Sequence, residues 1–144
     1  KLIGYIDSHK FFPVFGNGKN LMQPVTGQDL AIAYLKVLEN PGKTKNKEYN
    51  LSGKEPIRYI DMLKLVSKKL GKSTIFVHIP LHISIFLAKV YNAVFQKAII
   101  SVEQVQRMQE DKVFSHSNAA LDFGYNPLSF EEGIIIEIDE FKNR

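Results

Sequence analysis

The chain has 144 residues, 44% hydrophobic and 24% charged, with 19 Lys and Arg against 15 Asp and Glu, a formal net charge of +4, and no cysteine. That length supports one domain with a core of its own, so ordinary a composition excludes disordered, collagen-like and coiled-coil classes, and disulfides and thiolate zinc sites are excluded outright. Part of the basic excess lies in Lys43-Thr-Lys-Asn-Lys47, which carries no interleaved aromatic residues and reads as a solvated loop, so no nucleic-acid partner is expected. A chain without cysteine suits a reducing compartment, and the cytoplasm is the expected location.

The opening Lys-Leu-Ile-Gly-Tyr-Ile-Asp lacks an initiator Met and is too short and polar for a signal peptide, so a piece of a longer product is expected. Leu2, Tyr5 and Ile6 share one side of a first helix that gives out near Ser8-His9. The strand Phe11 to Phe15 follows, then a turn in which Gly16 and Gly18 supply positive φ, then a return strand from Leu21 to Val25 with Pro24 at an edge or bulge. Together these predict a hairpin. Thr26, with Asp29 three residues on, forms a capping-box-like start for a helix over 28–40 whose stripe is Leu30, Tyr34, Val37 and Leu38, ended by Asn40-Pro-Gly.

Glu48 to Ser52 predicts a short strand, and Gly53 to Pro56 a break. A second amphipathic helix carries Tyr59, Leu63, Val66 and Leu70 and stops at Gly71. Thr74 to Ile79 is rich in β-branched and aromatic residues and reads as a strand closed by Pro80. Residues 81–100 are the most apolar run, but His82, Lys89 and Lys97 interrupt it. A helix packed on another domain or a second subunit is therefore expected rather than a membrane span. Ser101 begins a helix with Val102, Val105 and Met108 on its apolar side, and Val113-Phe114 is extended. Ser117 caps a brief helix through Leu121, stopped by Gly124, and Ser129-Phe-Glu-Glu132 is a capping box opening a final helix with Ile134, Ile135, Ile138 and Phe141. The expected fold class is α+β: one helix-rich domain over residues 1–144 with a short hairpin and a few short strands.

No glycine-rich dinucleotide loop, phosphate-binding loop, paired-histidine zinc motif or nucleophile elbow occurs. His9, His78, His82 and His116 fall in different elements without metal-ligand spacing, so no metal is expected. Glu131-Glu132 and Asp139-Glu140 are explained by capping and solvent exposure on the last helix, so no catalytic residue is assigned.

The order of these elements, with Phe12-Pro-Val-Phe-Gly-Asn-Gly18, Gln23-Pro-Val-Thr-Gly-Gln-Asp-Leu-Ala31, Tyr49-Asn-Leu-Ser-Gly53 and the closing run from Ser117 through Gly133, resembles the C-terminal half of the extended and atypical short-chain dehydrogenase/reductases, the NAD-dependent epimerase/dehydratase family. The resemblance covers nearly the whole chain. It implies a substrate-binding domain, normally packed on an N-terminal Rossmann domain that is not in this chain. That domain would bind NAD or NADP and supply the Tyr-x-x-x-Lys pair, so the fragment alone would be inactive.

The implied substrate is a small molecule, a nucleotide-linked sugar. By position, Val14 and Phe15 match the strand beside the base; the alternative reading is that they are simply hairpin core. Met22 stands where many members place an arginine on the diphosphate, which a thioether cannot pair with. Gln23 beside it is a candidate hydrogen-bond donor to substrate, and otherwise an exposed strand residue. Arg107 and Asp111 approximate a second arginine and aspartate of the family, with Arg107 reaching the diphosphate or pairing with Glu103 or Glu110 on its own helix. The alternative implied by atypical members is a non-catalytic interaction module. Homodimerisation is left open.

Overall fold

The computed structural model describes residues 1–86, 107 and 109–143. The readings for the rest of the apolar run after residue 86, and for the helix begun at Ser101 apart from Arg107, lie outside the described residues. The chain divides into two compact units, Lys1–Leu21 with Arg58–Asp111, and Met22–Ile57 with Lys112–Arg144. The α+β, helix-rich class holds.

The first unit contains α1 (Leu2–Ser8) and β1 (Phe11–Phe15). Short strands β2 (Leu21–Met22) and β3 (Ile57–Arg58) form a two-stranded sheet. The later elements of the first unit are α4 (Tyr59–Lys69), β4 (Ile75–Ile79) and a helical stretch over residues 81–86. β1 pairs in parallel with β4, from Phe11 opposite Ile75 to Phe15 opposite Ile79. Alternation then sends Phe12, Val14, Phe76 and His78 to one face. On it Val14 is fully buried, as are Ile6, Leu63 and Val66, and Phe12 meets Tyr5 edge-on at 5.3 Å. Leu63, Val66 and Leu70 are buried as their helical spacing predicts, and Gly71 ends α4 with φ of +71°.

The expected hairpin does not form. The turn between β1 and β2 has positive φ at Gly16 and Gly18, but its carbonyls are claimed elsewhere: Ile60 N donates to Gly18 O and Tyr59 N to Asn20 O, both at 2.9 Å. These are first-turn amides of α4, which no carbonyl within the helix can satisfy. Docking the turn on them directs Leu21 away from Phe15, and β1 takes as its partner the β-branched and aromatic β4.

The second unit holds α2 (Gly27–Glu39), α3 (Pro41–Thr44), α5 (Ser117–Phe123) and α6 (Phe130–Lys142). Its core joins Ala33, Ala119, Phe123 and Tyr125, with Val37, Tyr49 and Leu51 against them. Thr26 caps α2, its hydroxyl oxygen accepting from Asp29 N at 3.0 Å. Ser129 and Glu132 complete the predicted capping box of α6.

Several local expectations shift. In α2 the buried positions are Asp29 and Ala33, whereas Tyr34 and Leu38 are exposed by 66% and 76%. The small Ala33 allows close approach of Ala119, and Asp29 is tolerated inside because its carboxylate accepts from the Thr26 hydroxyl and Leu128 N. Asn40-Pro-Gly ends α2 as expected, with Asn40 at its C-terminal flank, but it also opens the unexpected α3, since Pro41 is preorganised for a first helical position. His116, not Ser117, is the N-terminal flank of α5; Ser117 N instead takes the Ser115 hydroxyl. Residues 48–52 join no ladder, because their polar groups are claimed singly, as when Tyr125 OH donates to Ser52 O at 3.1 Å.

Candidate substrate-binding clefts

In the first unit, an open cleft of about 580 Å³ lies at the C-terminal end of β1, walled by Gly16, Asn17, His78, Leu81 and Gln109. Gly16 N donates to Ile79 O at 2.8 Å, continuing the β1–β4 ladder by one residue. Gln109 Nε2 donates to Phe15 O at 2.8 Å, which leaves its Oε1 for another donor. A Cβ on Gly16 would come within 2.1 Å of that Oε1, so glycine is what lets Gln109 lie across the turn. Since a carbonyl only accepts, the 3.2 Å contact of His78 Nδ1 with Gly16 O fixes the proton on Nδ1 and leaves Nε2 as an acceptor. Asn17 Oδ1 accepts from Lys19 N at 2.8 Å, so its NH₂ remains a donor. The rim thus offers one amide donor and two acceptors beside Phe15, a set able to read the polar edge of a planar heterocycle.

The predicted residues fall as follows. Val14 is enclosed in the core, which confines any contact it makes to its backbone, and Phe15 is half-buried with its carbonyl held by Gln109. Arg107 is helical and exposed in the same unit. Asp111 has a structural duty, its Oδ1 accepting from Leu21 N at 2.7 Å. Gln23 belongs to the second unit and is not a free strand residue: Nε2 donates to Gly53 O at 2.8 Å and Oε1 accepts from Phe114 N at 2.9 Å. Asn17, His78 and Gln109 escaped the sequence reading because they come from three separate segments and belong to no spaced motif.

A second cleft, about 290 Å³, lies within the second unit and is lined by Met22, Leu51, Ser52, Lys112 and Phe114, with Met22 and Lys112 paired through an isolated parallel bridge. Ser52 ties two of its segments together. Its hydroxyl donates to Phe114 O at 2.7 Å, so the 2.9 Å contact with His116 Nδ1 must be donated by the imidazole. Elsewhere in this unit Asp122 Oδ2 accepts from Lys47 Nζ and Tyr49 OH, each at 2.6 Å. The Lys47 and Tyr49 hydrogen bonds hold the Asp122 carboxyl below its usual range, and desolvation, reinforced by Asp122, pushes the Tyr49 phenol up to about 12. No group of His, Asp or Glu able to hold a metal exists among the described residues, and no described helix is long and apolar enough to cross a membrane.

No protein-family profile and no curated protein matches the chain. Solved structures do. UDP-glucose 4-epimerase from the hyperthermophile Thermotoga maritima, determined with UDP-glucose, is 16% identical with a TM-score of 0.70, the match covering 99% of this chain and 40% of that one. UDP-glucuronic acid 4-epimerase from Bacillus cereus, determined with NAD, is 19% identical with a TM-score of 0.69, covering 99% and 38%. Triphenylmethane reductase from Citrobacter sp., determined with NADP(H), is 18% identical with a TM-score of 0.57, covering 87% and 44%. The chain spans about 40% of the length of the structures it matches. Its fold is that of a portion of the NAD-dependent epimerase/dehydratase and related short-chain dehydrogenase/reductase enzymes.

Proposed function

We propose that this chain is the substrate-binding, C-terminal part of an NAD(P)-dependent epimerase/dehydratase-like oxidoreductase acting on a nucleotide-linked sugar. The observation that carries this reading is the match of 99% of the chain to two UDP-sugar 4-epimerases, together with a cleft rimmed by hydrogen-bonding groups beside Phe15. In this reading the base lies along the end of β1, against Phe15 and the backbone at Val14, with Asn17, His78 and Gln109 at its polar edge. Arg107 offers its guanidinium to the phosphates, and Gln23 acts through the Gly53 and Phe114 segments that it braces. NAD or NADP belongs to a Rossmann domain preceding this one, and that domain performs the hydride chemistry, in the cytoplasm.

Titrating UDP-glucose and NAD separately into the chain, followed by amide NMR and calorimetry, tests the assignment. Expected are UDP-glucose shifts at Phe15, Gly16 and Gln109 and no NAD binding. Tight NAD binding, or UDP-glucose shifts away from β1, would overturn it. A second reading, a non-catalytic module of the same fold, is favoured by Met22, whose thioether offers no charge to a diphosphate. It predicts no UDP-glucose binding at any position.

A further inference from the structure

The outer face of the β1–β4 pair carries no polar side chain. Alternation sets Phe11, Pro13 and Phe15 on it beside Ile75, Val77 and Ile79; Phe11 is 57% exposed, and Ile75 and Val77 are exposed with it. Parallel strands are ordinarily covered on both faces, whereas a face meant for water carries polar residues at these positions. After Pro80 the chain enters the helical stretch over residues 81–86, where Ser84 is buried and its hydroxyl donates to Pro80 O at 3.1 Å. With Ser84 turned in, Ile83 and Phe86, three residues apart, share the exposed side, Phe86 by 64%.

Charge is divided unevenly along the same lines. The first unit has 11 Lys and Arg against 5 Asp and Glu, a net charge of +6, while the second has 8 against 10, a net charge of −2. From Met62 to Val102, the stretch that contains β4, there are six lysines and no acidic residue. Lys10, immediately before Phe11, is exposed. A second copy of this unit would bring like charge against like charge. A bare apolar face in so cationic a unit instead complements a partner that is anionic at its surface and apolar just beneath.

We propose that the first unit docks on an anionic phospholipid bilayer, with Phe11, Ile75, Val77, Ile83 and Phe86 entering the boundary between headgroups and acyl chains and Lys10 among the phosphates. The stem of Lys10 is long enough to follow the apolar surface while its ammonium stays with the headgroups. The chain then lies on the membrane and does not cross it, in keeping with the lack of a spanning helix among the described residues. Docking needs no nucleotide, so it is tested separately from the proposed function.

The chain has no tryptophan, so Phe11→Trp and Phe86→Trp each install a single fluorescent reporter. Each is titrated, without nucleotide, with vesicles of phosphatidylcholine alone and of phosphatidylcholine with phosphatidylglycerol, at low and high salt. On the anionic vesicles both reporters are expected to shift to the blue and to be quenched by brominated acyl chains, with much weaker binding to neutral vesicles or at high salt. Lys10→Gln should lower the partition coefficient about fivefold, one lysine's share at an anionic surface. Replacing Ile83 and Phe86 together by serine should lower it about tenfold or more, at an unchanged melting temperature because both are exposed. Absence of quenching at both reporters, or equal binding to neutral and anionic vesicles, would overturn the proposal. So would a blue shift that follows protein concentration without lipid, which would give the face to a second copy.

Discussion

Gly53 lies directly under the carbonyl of Pro24: a Cβ added to it would sit 1.9 Å from that oxygen. The two segments meet this closely because Gly53 N donates to Gln23 O while Gln23 Nε2 donates back to Gly53 O, a closed pair of bonds. Gly53→Ala therefore must push backbone against backbone. It is expected to cost about 2–3 kcal/mol, the upper part of the range for overpacking, read as a drop in urea midpoint. A midpoint unchanged within error would show that the segments can part freely.

Thr26 caps α2 and also fills space, its Cγ2 lying 2.5 Å from where a Cβ on Gly133 would be. Thr26→Ala is expected to destabilise by about 1 kcal/mol through loss of the cap, and Thr26→Ser, which keeps the hydroxyl, by clearly less. Thermal unfolding of the three proteins side by side decides the matter; equal losses for Ala and Ser would make the methyl group, not the hydroxyl, the important part.

Asp122 and Tyr49 give opposite pH signatures. The folded state holds the Asp122 carboxyl low, through Lys47 first and Tyr49 second, so its contribution is present above the unfolded carboxylate range and is lost as pH falls through the lowered value. Tyr49 is raised from 10.0 to about 12, so its contribution is complete below 10.0 and is lost as pH climbs toward about 12. Asp122→Asn should flatten the acid limb of a stability–pH curve, and Tyr49→Phe the alkaline limb. If each single variant left both limbs in place, the assignment of these limbs to this pair would be wrong.

Gly16 and Gln109 form the pair on which the β1 cleft depends. Gly16→Ala brings strain from φ of +78° and a collision with the Gln109 side-chain oxygen. Its cost is expected to be about 1 kcal/mol or more. In a double-mutant cycle, adding Gln109→Ala should recover part of that loss, the collision being removed while the backbone strain stays. Strict additivity of the two changes would mean that Gln109 does not lie over the turn.

What was legible beforehand was local chemistry. Thr26 with Asp29, Ser129 with Glu132, Gly71 and Gly124 all work within three or four residues of themselves, and each does what its neighbours in the chain predict. The stripe of α4 was equally plain, because Leu63 and Val66, three residues apart, fall on the face that the helix buries along with Ile60 and Ser67. In α2 the same reasoning misled, since Tyr34 and Leu38 are apolar by composition but only the narrow side at Ala33 fits against Ala119.

The sequence by itself determined the starts of α2 and α6, the ends of α4 and α5 and that the chain is α+β, because capping and glycine geometry are settled between near neighbours. Tertiary structure alone decided strand partners and the makeup of both clefts. Phe11 finds Ile75, Gln23 finds Phe114 and Phe15 finds Gln109, and the choice among so many distant partners depends on which pairing satisfies every backbone group at once. The turn after β1 illustrates the difference: its glycines announced a reversal, yet the unsatisfied amides of α4 chose the strand that β1 would join.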